Sequence, residues 1–188
     1  MRTLLSPSLH AGFEVLHAQR EVFLPVLQYA SGRTLWGRPS DSSWAVGDSL
    51  LHLCKTMRVY NILIRGSWPV LFPIAWLFQG RPFERGMRDI FAEYEAAGKR
   101  MKATPLLTPR RPDRWPSTQE LWEQLEKETS KMEDTLARTP EEVAGHFRVF
   151  DPRIGSPNLI QRVQLLGFHE RHHFKIMERL ITAGGTRL

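Results

Sequence analysis

Residues 156–185 read SPNLIQRVQLLGFHERHHFKIMERLITAGG. Val163, Leu166, Ile176 and Leu180 recur at the spacing of one helical face. Ser156 supplies an N-cap, Pro157 suits the first helical position, and Gly184-Gly185 ends the run, so the stretch predicts a long amphipathic helix. Within it His169 and His173 are four residues apart, which stacks their side chains one turn apart on the same side. That side is the apolar one, because Leu166, His169, His173, Ile176 and Leu180 follow one another at helical spacing.

Working back from this helix, Ser117-Thr118-Gln119-Glu120 has the capping-box spacing, and Leu121, Leu125, Met132 and Leu136 carry a helix to about Arg138. A short helical turn follows from Pro140 to Gly145. A helix from about Ala45 to Arg65 presents Val46, Ser49, Leu50, Leu53, Met57, Tyr60 and Ile64 on its apolar side, with Gly66 at the stop. The first helix runs from about Ser8 to Tyr29 on Leu9, Phe13, Leu16, Phe23 and Leu27, and Pro25 kinks it or shortens its last turn. Ser31-Gly32 and Gly37-Arg38-Pro39-Ser40 mark a loop. No period-two strand pattern of useful length occurs. Four long helices predict an all-α four-helix bundle. Residues 67–115 read as an insertion between helices 2 and 3. They hold an apolar run from Trp68 to Phe78 with two prolines, a short helix from about Glu84 to Met101, and a loop rich in proline and arginine. The apolar run reads as a buried connection or a pocket wall. The apolar set of the insertion is too thin for a core of its own, so the reading is a single domain over 1–188.

The composition limits the function classes. With 188 residues and 41% hydrophobic content the chain can bury a full core. One cysteine, Cys54, excludes an intramolecular disulfide and fits a reducing, cytoplasmic setting. The apolar pair at the N-terminus is interrupted by Pro7, so no signal peptide is expected, and the Trp68–Phe78 run is too short to span a bilayer. The formal charge of +6 has its densest source in Arg110-Arg111-Pro112-Asp113-Arg114, a proline-rich loop. With no nucleic-acid motif and no basic helix face, neither nucleic acid nor membrane is an expected partner.

Two imidazoles projecting together into a core are costly to bury unpaired, and a shared metal ion at about 2 Å from each removes that cost. Hydrogen-bonded core histidines are the alternative. His52 borders or enters the apolar side of the second helix, along the line of Asp48, Ser49, Thr56, Val59 and Tyr60. Spacing alone leaves open whether His52 faces the pair. Three neutral histidines would leave at least one metal position free for water or substrate, an arrangement suited to Lewis-acid chemistry. His172 points about 100° away from His173. His10, His17 and His146 have no partner at metal spacing. His169-Glu170-Arg171-His172-His173 also satisfies H-E-x-x-H. Only fifteen residues follow it, and Glu178, the sole acid among them, shares its helix, so no third ligand of the protease type is available downstream.

Three stretches, in order, resemble a known family. Trp44-Ala45-Val46-Gly47-Asp48-Ser49-Leu50-Leu51-His52-Leu53 looks like a tryptophan-opened helix leading to a His-Leu pair. Phe150-Asp151-Pro152-Arg153-Ile154-Gly155-Ser156-Pro157 resembles a Pro-x-hydrophobic-Gly entry to the last helix, and Phe168–Phe174 is similar to a closing His-x-x-x-His segment. Together they resemble the DinB/YfiT-like superfamily of metal-binding four-helix bundles. The family's helix after the tryptophan usually opens with a capping serine; here Ala45 stands there while Asp48 keeps the acid, and the cap shifts to Ser43 or Asp41.

The resemblance implies that His52, His169 and His173 converge on one divalent ion, commonly nickel or zinc. It also implies a metal-dependent enzyme of the thiol S-transferase or isomerase type, acting on a small-molecule substrate with a low-molecular-weight thiol. A bound ion would lower the thiol's pKa. Asp48 and Glu170 are then candidates to orient the imidazoles, and Tyr60 is a candidate pocket residue. The alternative from another class is a non-catalytic metal-binding protein of a stress-response or binding type. A homodimer could form through exposed helix faces or the Trp68–Phe78 run. No Ser-His-Asp pattern, phosphate loop or dinucleotide fingerprint is present.

Overall fold

A computed structural model describes residues 5–39, 44–99, 101, 103–110 and 113–185. The expected caps at Ser43 and Asp41, and Arg111 and Pro112 of the basic loop, lie outside the described residues. The described chain is helical, with seven helices and no strand: α1 Pro7–Leu27, α2 Gly32–Trp36, α3 Val46–Leu77, α4 Ile90–Ala96, α5 Thr118–Leu136, α6 Glu141–His146 and α7 Leu159–Gly185. The four long helices pack α1 on α7, α7 on α3, α3 on α5 and α5 on α1. Gly12 lets α1 approach α7, because a Cβ there would lie 2.7 Å from a methyl of Val163.

Local chemistry sets most of the helix ends. Ser6 caps α1 by accepting from the Leu9 N–H, and Pro7 follows at the first helical position, where its missing donor costs nothing. The capping box of α5 forms as its spacing predicts: Glu120 N–H donates to Ser117 Oγ at 3.2 Å and Ser117 N–H to Glu120 Oε2 at 2.7 Å. α3 keeps only the reciprocal half of such a box, with Ala45 N–H donating to Asp48 Oδ2 at 3.0 Å, since alanine has no side-chain acceptor.

Four sequence expectations need correction. First, α3 does not stop at Gly66; it runs 32 residues, through Gly66, Pro69 and Pro73, to Leu77. The prolines lie on its exposed side, where the carbonyls that lose a helical donor meet water. On the other side Trp68 stacks with Phe72 and packs on Phe147, both at 5.1 Å between centroids, and this packing outweighs the broken ladder. The Trp68–Phe78 run is therefore the end of a helix and only partly buried; Leu77 is 80% exposed and Val70 64%.

Second, α7 starts at Leu159, not at Pro157. Residues 156–158 are still extended, with Val149 N–H donating to the Pro157 carbonyl and Arg148 bridging Asn158. The cap is Asn158, whose Oδ1 accepts from Gln161 N–H at 2.9 Å while Gln161 Oε1 accepts from Asn158 N–H at 3.1 Å. Third, the helix expected from Glu84 to Met101 shrinks to Ile90–Ala96. Side chains of α7 and of its cap claim the carbonyls that a longer helix would need. Asn158 donates to the Glu84 carbonyl, Gln164 to Arg85 and Gln161 to Gly86, at 2.8–2.9 Å. Fourth, the short helix α2 sits within the stretch expected to be loop, with Leu35 buried.

The core is two apolar clusters with a polar layer between them. Leu9, Phe13, Leu16, Met57, Met132, Leu136, Val163 and Leu166 belong to one. Phe23, Leu27, Leu50, Leu53, Leu121, Leu125, Phe174 and Met177 belong to the other. Each long helix passes from one to the other through buried polar residues: Arg20 on α1, His52 and Thr56 on α3, Glu128 and Thr129 on α5, and His169, Glu170 and His173 on α7. In α3 and α7 that layer holds the histidines. No helix among the described residues is long and apolar enough to cross a membrane.

Candidate metal centre

The structure brings His52, His169 and His173 together. Their potential ligand atoms all lie within 4.8 Å of one another, and the side chains are 3%, 9% and 8% exposed. His52 Nε2 is 3.0 Å from His169 Nε2, and His173 Nε2 is 3.1 Å from the same atom. α7 supplies two of the three through its one-turn repeat, and α3 supplies the third because it crosses α7 in the polar layer.

The protonation of His52 follows from its partner. Its Nδ1 lies 2.8 Å from the Leu107 carbonyl, which can only accept, so Nδ1 carries the proton and Nε2 turns a lone pair toward the other rings. Burial holds the His52 ring neutral and lowers its pKa to about 4, against the raising effect of the Leu107 bond. Burial also pushes His169 and His173 well below the ordinary imidazole value, helped by their histidine neighbours; for His169 the positive charge of Arg153 adds to this. Three neutral imidazoles with converging nitrogens are the donor set that zinc, nickel and similar ions take.

The spacing fits an ion. Bonds of about 2.0–2.1 Å place two ligating nitrogens about 2.9 Å apart at a right angle and about 3.4 Å apart at a tetrahedral angle. The observed 3.0 and 3.1 Å fall inside that interval. His173 Nδ1 is buried with no hydrogen-bond partner, so an ion on its Nε2 would be the ring's main compensation for burial.

Aromatic rings wall the cluster. Trp44 lies 4.9 Å from the His52 ring and stacks within 11° of parallel on His173. Phe91 packs on His169 at 5.1 Å and on His172 at 5.5 Å. Sequence reasoning did not assign these two rings, or the Leu107 carbonyl, to the site. A main-chain acceptor has no signature in a sequence, and Phe91 comes from the segment whose path the tertiary bonds of α7 decide.

The residues expected to support the site have other partners. Asp48 accepts from Arg38 through both oxygens, at 2.8 and 3.0 Å, as well as from Ala45 N–H. Glu170 is gripped by Arg20, Nε to Oε2 at 2.9 Å and Nη2 to Oε1 at 2.5 Å. Both carboxylates are therefore committed to arginines, not to imidazoles, and Glu170 is not a free base for H-E-x-x-H chemistry. Tyr60 donates to Asp151 Oδ2 at 2.9 Å beneath the Arg162 guanidinium, 4.5 Å from its ring centre, and so braces the 151–155 turn. Burial raises the Cys54 thiol to about 12, and its Sγ faces the Leu121 carbonyl, so it is no nucleophile at neutral pH.

A helical chain whose polar layer gathers three neutral histidines is, by class, an all-α protein with a candidate metal centre. Residues 16–177 match the DinB superfamily model, and the chain belongs to that superfamily. Comparison with curated proteins and with solved structures gave no match.

Proposed function

We propose that the chain is a divalent-metal-dependent enzyme that uses a low-molecular-weight thiol, with nickel or zinc on His52, His169 and His173. The convergence of three Nε2 atoms at 3.0 and 3.1 Å carries the reading. A divalent ion bound there supplies a Lewis-acid centre that favours the thiolate form of a thiol at neutral pH. The chain's own part is threefold. The Leu107 carbonyl fixes the His52 tautomer, Trp44 and Phe91 restrict water, and burial keeps all three rings unprotonated. With Cys54 inert, the reacting thiol has to come from a co-substrate.

The depth of the cluster is the observation in favour of a second reading, a non-catalytic metal-binding protein. Two measurements separate the readings. Elemental mass spectrometry on untagged protein should find about one divalent ion per chain, lost in His173→Ala. Cobalt-substituted protein should then change its visible absorption when a thiol is added. A wild type still empty after reconstitution removes the metal reading. A loaded protein indifferent to thiols leaves the non-catalytic one.

A further inference from the structure

A cavity of about 710 Å³ lies between the segment leading into α4 and the turn leading into α7. Its charged lining is Glu84, Arg88, Glu93, Arg148 and Arg153. Arg88 is held by Glu93, with bonds of 3.0 and 2.8 Å, so that pair is internally neutral. Arg148 spends one donor on the Ser156 carbonyl at 3.1 Å. No described residue hydrogen-bonds or ion-pairs with the Arg153 guanidinium.

The turn that carries Arg153 is heavily braced for a surface loop. Asp151 and Gly155 exchange main-chain hydrogen bonds of 2.7 and 2.9 Å, and Gly155 closes the turn at φ 83°, a value that glycine adopts without strain. Asp151 Oδ1 accepts from the Arg153 N–H, while Oδ2 accepts from Tyr60 and from Arg162. Arg162 is itself 1% exposed and donates to the Val149 carbonyl at 2.7 Å. A buried arginine, a tyrosine and an aspartate thus hold in place a turn whose own guanidinium has no partner among the described residues. Ile90 of the lining is followed in the chain by Phe91, which packs on His169.

We propose that this cavity binds the carboxylate of a small molecule with an apolar body, gripped by Arg153 with Arg148. Guanidinium takes a carboxylate in two parallel bonds, and Met87, Ile90 and Ile154 offer apolar surface to the remainder. The N-terminus of α7 adds positive potential on the same side. Glu84 leaves the lining with a single excess positive charge, which matches a carboxylate better than a dianionic phosphate. That the other end of the ligand reacts at the histidines rests on the proposed function; binding in the cavity does not.

Amide NMR of the full chain tests this, metal-free and zinc-loaded. The probes are N-acetyl-L-methionine, its C-terminal amide and inorganic phosphate. The carboxylate should shift resonances within residues 84–94 and 148–161 saturably, and bind at least tenfold more tightly than the amide. Arg153→Ala, an exposed change, should weaken it at least tenfold with the rest of the spectrum preserved, and Arg153→Lys should weaken it less. Equal binding of carboxylate and amide, tighter binding of phosphate, or indifference to Arg153→Ala would overturn the assignment. If zinc does not bind yet the carboxylate does, with the same dependence on Arg153, the metal reading fails and the cavity stands. If zinc binds and no carboxylate does, the reverse holds.

Discussion

Replacing Glu170 by leucine separates a structural carboxylate from one that orients an imidazole. Glu170 and Arg20 are each about 2% exposed and joined by two hydrogen bonds, at 2.9 and 2.5 Å. Removing one partner of a buried pair costs about 3–5 kcal/mol, because the other charge is left in a poor solvent. Here the cost should fall at the lower end, about 3 kcal/mol, because Arg20 keeps a bond to Thr129 Oγ1 at 2.7 Å and a contact with Glu126 at 3.2 Å. For a chain of this length that lowers Tm by about 6–12 °C. The double variant Arg20→Met, Glu170→Leu should recover to within about 1 kcal/mol of wild type. It orphans no group: Thr129 still donates to the Leu125 carbonyl, Gln19 to the Gly167 carbonyl, and Glu126 turns to water. Thermal melts on metal-free protein give the stabilities, and elemental mass spectrometry gives metal content, which should be unchanged in both variants. Metal loss in Glu170→Leu without a change in Tm would refute the reasoning, as would a double variant no more stable than the single one.

Two other perturbations probe a helix start and a helix interior. Glu141 accepts from Ser6, Ser8 Oγ and Ser8 N–H; burial would raise its pKa, but these bonds and Arg85 hold it below the ordinary 4.5. Because the unfolded chain then takes the proton first, stability should fall as pH drops below 4.5 through the native value. Glu141→Gln should cost about 1–2 kcal/mol at pH 7 and flatten that slope in urea unfolding; an unchanged slope would contradict the pairing. Pro69→Ala should restore a donor to the α3 ladder and raise stability by about 2 kcal/mol, the helix-interior penalty of proline less its stiffening of the unfolded chain. A loss of stability in thermal melts would mean that α3 is interrupted there.

The features legible in the sequence were those decided within one or two turns. Ser117 and Glu120 cap α5 because both partners sit three residues apart, and His169 and His173 share a face because four residues make a turn. The placement of His52 beside them depends on α3 crossing α7, which no spacing expresses. Gly66, Pro69 and Pro73 argued for a stop, but the evidence against it lay 70 or more residues away, in the ring of Phe147. Asp48, one turn before His52, and Glu170, next to His169, were candidates to orient imidazoles, and were lost to Arg38 and Arg20, partners that only the packing reveals. Asn158 outcompeted Ser156 as the cap because residues 156–158 were already engaged with 148–149.

The bonds that fasten residues 84–86 to α7 and its cap run from the amides of Asn158, Gln161 and Gln164 to main-chain carbonyls. Attachment of this kind is indifferent to the side chains of the strip it holds. Substitutions at Met87, Arg88 and Ile90 should leave these bonds intact, so the proposed cavity would change its ligand preference by point changes along one wall. The helices that carry the histidines need not repack for such a change, and altered selectivity would come at little cost in folding.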